Sequence, residues 1–309
     1  MSASPPPSRR MLLTAAVATP AAGLAGSLTS DGRDPDTTDR SGDGKAAGGS
    51  TSAGPGPGKA DPAAPAGGSG PPFRPELPAE GLVTNEYAHG HPDAGDARLS
   101  PDWIVTSGSL FAHWAFGWTG VPDGEAPGPD SVPHTGSAVF RLVSRRQDFG
   151  DTSVRSWVFL KPPGVTARTP ARAWDGGHLW LRHHSAQELY ALSFRRRDGM
   201  VVLKRKHPEP GRPVDEEGVY TTLATAHHPL DYGRWHRIAA TVSTRGDDRV
   251  RIALALDGRA VLDAEDREPG RLTAPGGVGL RGDNTEMAFF GFTARGDADH
   301  RRPAGGAYR

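Results

Sequence analysis

Apolar residues recur at every second position along several short segments of this chain. One segment runs from 249 to 256, and its apolar set is Val250, Ile252, Leu254 and Leu256. Another runs from 235 to 242, where Ile238, Ala240 and Val242 form the apolar set and His236 shares their parity. Because successive side chains of a β-strand point to opposite faces of its sheet, this period predicts half-buried strands.

Turn residues separate the predicted strands. Asp257 and Gly258 follow the segment that ends at Leu256, and both residue types tolerate the positive φ of a tight hairpin. No segment keeps the three-to-four-residue apolar period of a helix. Many short strands with Gly, Pro and Asp between them predict an all-β fold, an antiparallel two-sheet jelly-roll sandwich.

The chain divides into four predicted parts. Residues 1–28 are predicted to be a signal peptide, because Arg9 and Arg10 precede a short apolar run that ends in small residues. The arginine pair resembles the bacterial twin-arginine export signal, and a plain secretory signal is the alternative. Residues 29–78 are mostly Gly, Ser, Pro, Ala, Asp and Thr, which predicts a disordered linker. The sandwich is predicted over 79–295 and a flexible tail over 296–309.

Composition narrows the possible partners. The 309 residues include 36 Lys or Arg and 36 Asp or Glu, so the formal net charge is zero and no nucleic-acid partner is expected. There is no cysteine, which excludes disulfides, thiolate metal sites and cysteine nucleophiles. No cofactor or metal is predicted, since the histidines and aspartates at 89–96 lack a recognised ligand spacing. A secreted protein with no integral membrane segment after signal cleavage is expected.

Several segments carry recognisable patterns. Phe149–Val154 reads F-x-D-x-x-V and Gly233–Ile238 reads G-x-W-H-x-I. Trp103–Leu110 precedes them, and Asp257–Val261 and Gly276–Arg281 follow. In this order the segments resemble concanavalin A-like lectin and glucanase domains, including the laminin G-like and 3-keto-disaccharide hydrolase-like branches. The resemblance implies the sandwich and a polysaccharide or oligosaccharide partner, but these motifs build the fold and give no catalytic residues.

The segment from His178 to His207 is the main candidate for a binding surface. It holds seven Lys or Arg and two acids, a local excess of five positive charges (7 − 2). Leu179 and Leu181 form its first apolar set, so parity directs Trp180, Arg182 and His184 to the opposite, outer face.

The next predicted hairpin adds two cations to that outer face. A two-residue turn at Asp198-Gly199 pairs Ser193 with Lys204 and Phe194 with Leu203. Lys204 and Lys206 then point outward with Trp180, provided that the strands are neighbours.

This set has the chemistry of a sugar site. An indole ring packs on the C–H face of a pyranose, while cations bind hydroxyls and, more strongly, carboxylates and sulfates. The predicted function is therefore carbohydrate binding, with acidic or sulfated glycans favoured. We call these residues the predicted cluster; it comprises Trp180, Arg182, His184, Lys204 and Lys206, with Trp118 on a loop at its rim. Trp157 and Trp235 are predicted to serve core or sheet packing.

The sequence is compatible with two enzymatic alternatives and one structural alternative. Retaining glucanases of this fold carry a Glu-x-Asp-x-x-Glu strand, and the chain has no such segment. A polysaccharide lyase is one alternative, for which Arg182, His184 and Tyr190 supply the residue types. A keto-glycoside hydrolase on the same face is another. A structural or protein-interaction domain whose cationic face is only solvated is the third.

Overall fold

A computed structural model describes residues 71–129, 134–135, 137–210, 218–246 and 249–296. The predicted signal peptide, the predicted linker as far as residue 70 and the predicted tail beyond residue 296 lie outside these residues. All of the described residues belong to one compact unit.

The described chain forms one short helix, α1 (Glu86–Gly90), and fifteen strands. Within the described ranges no helix has the length and apolar character of a membrane span. The strands are β1 (Glu80–Asn85), β2 (Trp103–Ser107), β3 (Ser109–His113), β4 (Phe116–Trp118), β5 (Val139–Ser144), β6 (Thr152–Leu160), β7 (Gly176–Ser185), β8 (Glu188–Arg196), β9 (Met200–His207), β10 (Val219–His227), β11 (Trp235–Arg245), β12 (Arg249–Leu256), β13 (Arg259–Asp266), β14 (Gly277–Asp283) and β15 (Met287–Gly296).

The strands form two antiparallel sheets. The eight-stranded sheet has the order β1-β3-β4-β15-β6-β11-β12-β13, and the seven-stranded sheet has the order β10-β9-β8-β7-β14-β5-β2. Apolar side chains from both sheets meet in one core. The prediction of an all-β, two-sheet antiparallel sandwich is confirmed.

The alternating segments lie where the sequence period indicates. Ile238 on β11 and Val250, Ile252 and Leu256 on β12 are fully buried. The turn that follows has φ of 51° at Asp257 and 83° at Gly258. Positive φ at both central residues is the signature of the twisted two-residue hairpin that the sequence predicts.

The register of the β8–β9 hairpin differs from the prediction by two residues. Ser193 pairs with Val202, not with Lys204. The Gly199 N–H donates to the Arg196 carbonyl (3.1 Å), so the turn is centred on Arg197 and Asp198, and Gly199 follows with φ 74°. Because the shift is an even number of residues, the side chains keep their predicted faces.

The packed chain begins earlier than the predicted sandwich boundary. Phe73 is 4% exposed and exchanges backbone hydrogen bonds of 2.8 and 3.0 Å with Ala294. Its ring lies 5.2 Å from Trp103 and 5.7 Å from Phe149. The prediction of a disordered linker up to residue 78 is therefore wrong for the stretch that begins at Phe73, because one buried aromatic ring anchors it in an otherwise polar sequence.

A buried polar network joins the two sheets of the sandwich. Arg205 Nη1 lies 3.0 and 2.9 Å from the two carboxylate oxygens of Asp266. The Tyr190 hydroxyl donates to Asp266 (2.7 Å) and accepts from the Leu272 N–H (3.1 Å). Both charged groups are buried, so each depends on the other to offset the loss of hydration.

Two aspartates on β13 give a matched test of this network. Asp266→Ala leaves the buried Arg205 without its carboxylate and is expected to lower the free energy of unfolding by about 3–5 kcal/mol. Asp263 forms an exposed pair with Arg251, and Asp263→Ala is expected to cost less than about 1 kcal/mol. Urea denaturation measures both values, and equal losses in the two variants would contradict a structural role for the buried pair.

Candidate functional site

The structure brings three residues of the predicted cluster together on the outer face of the seven-stranded sheet. Lys204 pairs with Ala191, and Ala191 pairs with Trp180 on its other side. The ammonium nitrogens of Lys204 and Lys206 lie 5.8 and 5.0 Å from the centre of the Tyr220 ring. Trp180, Lys204 and Lys206 therefore lie close together on neighbouring strands.

Trp180 is nevertheless almost inaccessible. Its side chain packs with Leu189, Ala191 and Tyr220, and the residue is only 3% exposed. The indole stacks on His183, with 5.2 Å between ring centroids and 23° between planes. Its Nε1 has no hydrogen-bond partner among the described residues. A ring this deeply covered offers no free face to a sugar.

Arg182 points into the protein, so the prediction that it shares the outer face is wrong. The β7–β8 register shifts between Leu181 and Ser185, and Arg182 has φ 46°. An irregularity of this kind reverses the face of the residues that follow it. The guanidinium contacts Asp151 (2.9 Å), the Thr244 hydroxyl (2.9 Å) and the Leu272 carbonyl (2.5 Å).

The last two residues of the predicted cluster lie apart from the others. His184 Nε2 is 3.2 Å from the Ala274 carbonyl at one end of the seven-stranded sheet. Trp118 lies on β4 in the other sheet, where its Nε1 donates to Glu286 (3.0 Å). The six residues therefore do not converge on one ligand.

The residue types suited to lyase chemistry have structural partners. Burial raises the pKa of Tyr190 well above its usual range, and the hydrogen bond to the negatively charged Asp266 carboxylate acts in the same direction. Arg182 is occupied by Asp151 and backbone carbonyls. Tyr190 cannot then serve as a base near neutral pH, and Arg182 cannot reach a uronate carboxylate on the outer face.

A serine, a histidine and an aspartate meet across β8, β7 and β14. His178 Nδ1 lies 2.8 Å from the Ser193 hydroxyl, and its Nε2 lies 3.0 Å from Asp283, which Arg281 also holds at 2.8 and 3.0 Å. Burial lowers the pKa of His178, so the ring is neutral at pH 7. Because Ser193 is only 5% exposed, its hydroxyl is not open to a substrate, and the trio links the three strands.

A group of contacting, partly exposed aromatic rings lies on the opposite side of the molecule, on the outer face of the eight-stranded sheet. Its rings touch one another, with centroids 4.9 Å (Trp235–Phe290), 5.0 Å (Phe116–Phe290), 5.5 Å (Phe116–Trp235 and Phe159–Trp235) and 6.0 Å (Trp157–Phe290) apart. We call this surface the aromatic face; it comprises Phe116, Trp157, Phe159, Trp235 and Phe290. Phe116, Trp157 and Trp235 are 38%, 39% and 36% exposed.

Strand pairing assembles the aromatic face from four neighbouring strands. Phe290 on β15 pairs with Trp157 on β6, and Phe159 on β6 pairs with Trp235 on β11. Phe116 comes from β4 on the far side of β15. Strands about 4.8 Å apart place these rings within a width of roughly 14 Å. Gly117 allows β4 to lie close here, since a Cβ at this position would collide with the Phe289 ring.

Sequence reasoning missed this surface, although the signal was present. Trp235 alternates with His236 and Ile238 on β11, so its parity is that of the outer face. Trp157 likewise lies between the buried Ser156 and Val158. The two rings do pack on the sheet, as predicted, but on its solvent side.

Polar groups adjoin the aromatic face at Trp235. A cavity of about 430 Å³ there is lined by Trp235, His228, Asp231, Arg234 and Asp257, among others. Burial alone would raise the pKa of Asp257, but hydrogen bonds from His236 (2.7 Å) and the Arg237 N–H (2.8 Å) outweigh burial and lower it. Within the described ranges, no group of three or more His, Asp or Glu side chains is arranged to hold a metal ion.

Comparison with known proteins gives a fold likeness only. No protein-family model matches the chain, and no curated protein matches it. Among solved structures, the carbohydrate binding module CBM66 from Bacillus subtilis is 16% identical, with 62% of this chain and 94% of that chain covered and a TM-score of 0.41. The metal-free Emp46p carbohydrate recognition domain is 10% identical, with 71% and 94% covered and a TM-score of 0.41. The PL-14 alginate lyase from Aplysia kurodai is 12% identical, with 70% and 97% covered and a TM-score of 0.40. At these scores the likenesses carry no argument about what this chain binds.

His183, which stacks on Trp180, makes stability depend on pH. Burial, together with the charges of the neighbouring His184 and Lys206, lowers its pKa from 6.5 to about 4. Below pH 6.5 the unfolded chain binds a proton at this histidine, whereas the folded chain does not. The free energy of unfolding therefore falls as the pH drops towards 4.

The variant His183→Gln tests this pH dependence, because it is expected to reduce the fall in the free energy of unfolding by about 1–3 kcal/mol. Urea denaturation at pH 7 and pH 4.5 measures the change, and identical slopes in both proteins would refute it.

Proposed function

We propose that this protein is a non-catalytic carbohydrate-binding sandwich and that the glycan lies on the aromatic face. The observation that carries the proposal is the contiguous surface of Phe116, Trp157, Phe159, Trp235 and Phe290, of which three rings are more than a third exposed. A contiguous apolar patch on a protein surface commonly marks an interaction or ligand-binding site. Aromatic rings bury the C–H faces of sugars while leaving the hydroxyl groups in water.

The rigidity of the surface favours binding. Phe290 touches Phe116, Trp157 and Trp235, so each exposed ring is held by another. The backbone beneath them is the hydrogen-bonded sheet of β15, β6 and β11. Little side-chain freedom remains to be lost on binding, which is the condition under which aromatic surface converts into affinity.

The outer face of the seven-stranded sheet is the alternative location for a glycan. Lys204 and Lys206 of the predicted cluster lie there, both beside the Tyr220 ring. We place this surface second because Trp180, the ring that the prediction depends on, is buried. We also propose that the protein is exported, since Arg9 and Arg10 precede a short apolar run.

Removal of single rings tests the proposal. Trp157→Ala and Trp235→Ala are each expected to weaken glycan binding by about 1–3 kcal/mol, because truncation of an aromatic anchor removes its packing area. Isothermal titration calorimetry of the full chain, with soluble polysaccharides that bind the parent protein, measures the effect. Trp174→Ala is the matched control, since that ring lies in the loop before β7 with Arg172 over it at 5.8 Å.

Each outcome has a distinct meaning. Loss of affinity in the Trp157 and Trp235 variants alone, with unchanged thermal stability, supports the aromatic face. Loss of affinity only in Lys204→Gln would move the glycan to the seven-stranded sheet. Binding of no glycan by the parent protein would leave an interaction domain as the better account.

A further inference from the structure

We infer that the ligand of the aromatic face is an anionic polysaccharide and that its carboxylate or sulfate groups bind a diagonal row of three arginines beside the rings. We call Arg295, Arg155 and Arg237 the arginine row. The inference rests on the proposed function and specifies the class of glycan.

The row follows from the strand register. Arg155 pairs with Thr293 on one side and with Ala239 on the other. Arg295 lies two residues beyond Thr293, and Arg237 lies two residues before Ala239. Both are therefore diagonal neighbours of Arg155, at about 7–8 Å between backbone positions, and long side chains bridge that separation.

All three arginines belong to the outer face. Arg155 alternates with the buried Val154 and Ser156, and Arg237 alternates with the buried His236 and Ile238. Arg295 follows Ala294, which is fully buried in the core.

Within the described part of the chain, none of the three guanidinium groups has an ion pair or a side-chain hydrogen bond. The outer face does hold other arginines with partners, since Arg251 contacts Asp263 (2.8 Å). The two residues that pair with Arg155 on the adjacent strands, Thr293 and Ala239, carry no charge. Like charges at this spacing repel one another, and an anion lying along the row would relieve that repulsion.

The arginine row and the aromatic face meet at Trp157. Arg237 pairs with Trp157 across the sheet, and Arg155 lies two residues away on the same strand and face. A sugar packed on this indole would have an arginine on two of its sides. Guanidinium groups bind carboxylates and sulfates through paired hydrogen bonds, which adds charge recognition to ring stacking.

Single-stranded nucleic acid also combines anionic groups with flat rings. The observations favour a polysaccharide because the chain has no excess of positive charge, with 36 basic and 36 acidic residues. Nucleic-acid-binding domains are as a rule basic. Oligodeoxythymidine serves as the probe for this alternative.

Matched pairs of polymers test the inference on the full chain. Polygalacturonate is compared with its methyl ester, and dextran sulfate with dextran, by isothermal titration calorimetry at rising sodium chloride. We expect at least one charged polymer to bind more tightly than its neutral counterpart and to lose affinity as salt rises. The double variant Arg155→Gln/Arg237→Gln should bind that charged polymer about tenfold or more weakly, with unchanged affinity for any neutral polymer.

Arg245→Gln is the matched control for charge. Arg245 is exposed at the far end of β11, eight residues from Arg237, or about 27 Å along the strand. Its removal should leave affinity unchanged. Weakening as large as that of the double variant would mean that net charge, and not the row, sets the preference.

The remaining outcomes separate this inference from the proposed function. Equal binding of charged and neutral polymers, with loss in Trp157→Ala, would overturn the arginine row and leave carbohydrate binding intact. Tighter binding of oligodeoxythymidine, lost in the arginine variant, would overturn the inference in favour of nucleic acid. Binding of no polymer at all would overturn both.

Discussion

The two-residue period of the β-strand is the constraint on which this structure depends. Each strand must bury one side against the opposite sheet, so the other side is committed to solvent or to a ligand. On β6 and β11 the buried side holds Val154, Val158, Ile238 and Val242, which leaves the tryptophans and arginines outside. The chemistry of the outer surfaces is therefore a consequence of how the core is filled.

The outer faces of the two sheets differ in how their side chains are exposed and paired. The outer side of the seven-stranded sheet carries Trp180, Ser193 and His178, and these residues are covered or linked to one another. The outer side of the eight-stranded sheet carries rings that remain more than a third exposed. Between the sheets, Arg182 contacts Asp151, and Tyr190 donates a hydrogen bond to Asp266. Residues whose types suit polysaccharide chemistry thus stabilise the fold.

The fold class and the faces of several strands could be predicted from the sequence because they depend on local alternation. The segments at 235–242 and 249–256 and the hairpin at Asp257 show this. Arg182 could not be placed in the same way, since one irregularity in β7 reverses its direction. Strand parity places Trp157 and Trp235 on the outer face. Their contact with Phe116 and Phe290 could not be predicted, because these rings are far apart in sequence and meet only through the strand order. Phe73 shows the same limit, as its partners lie at positions 103, 149 and 292.

Hydroxyl-radical footprinting of the full chain, with and without a bound polysaccharide, tests the central claim most directly. The method reports the solvent exposure of individual aromatic side chains. If the glycan lies on the aromatic face, the ligand protects Trp157, Trp235 and Phe116 and leaves Trp174 and Tyr220 unchanged. Protection of Tyr220, with no change at Trp157 and Trp235, would contradict it.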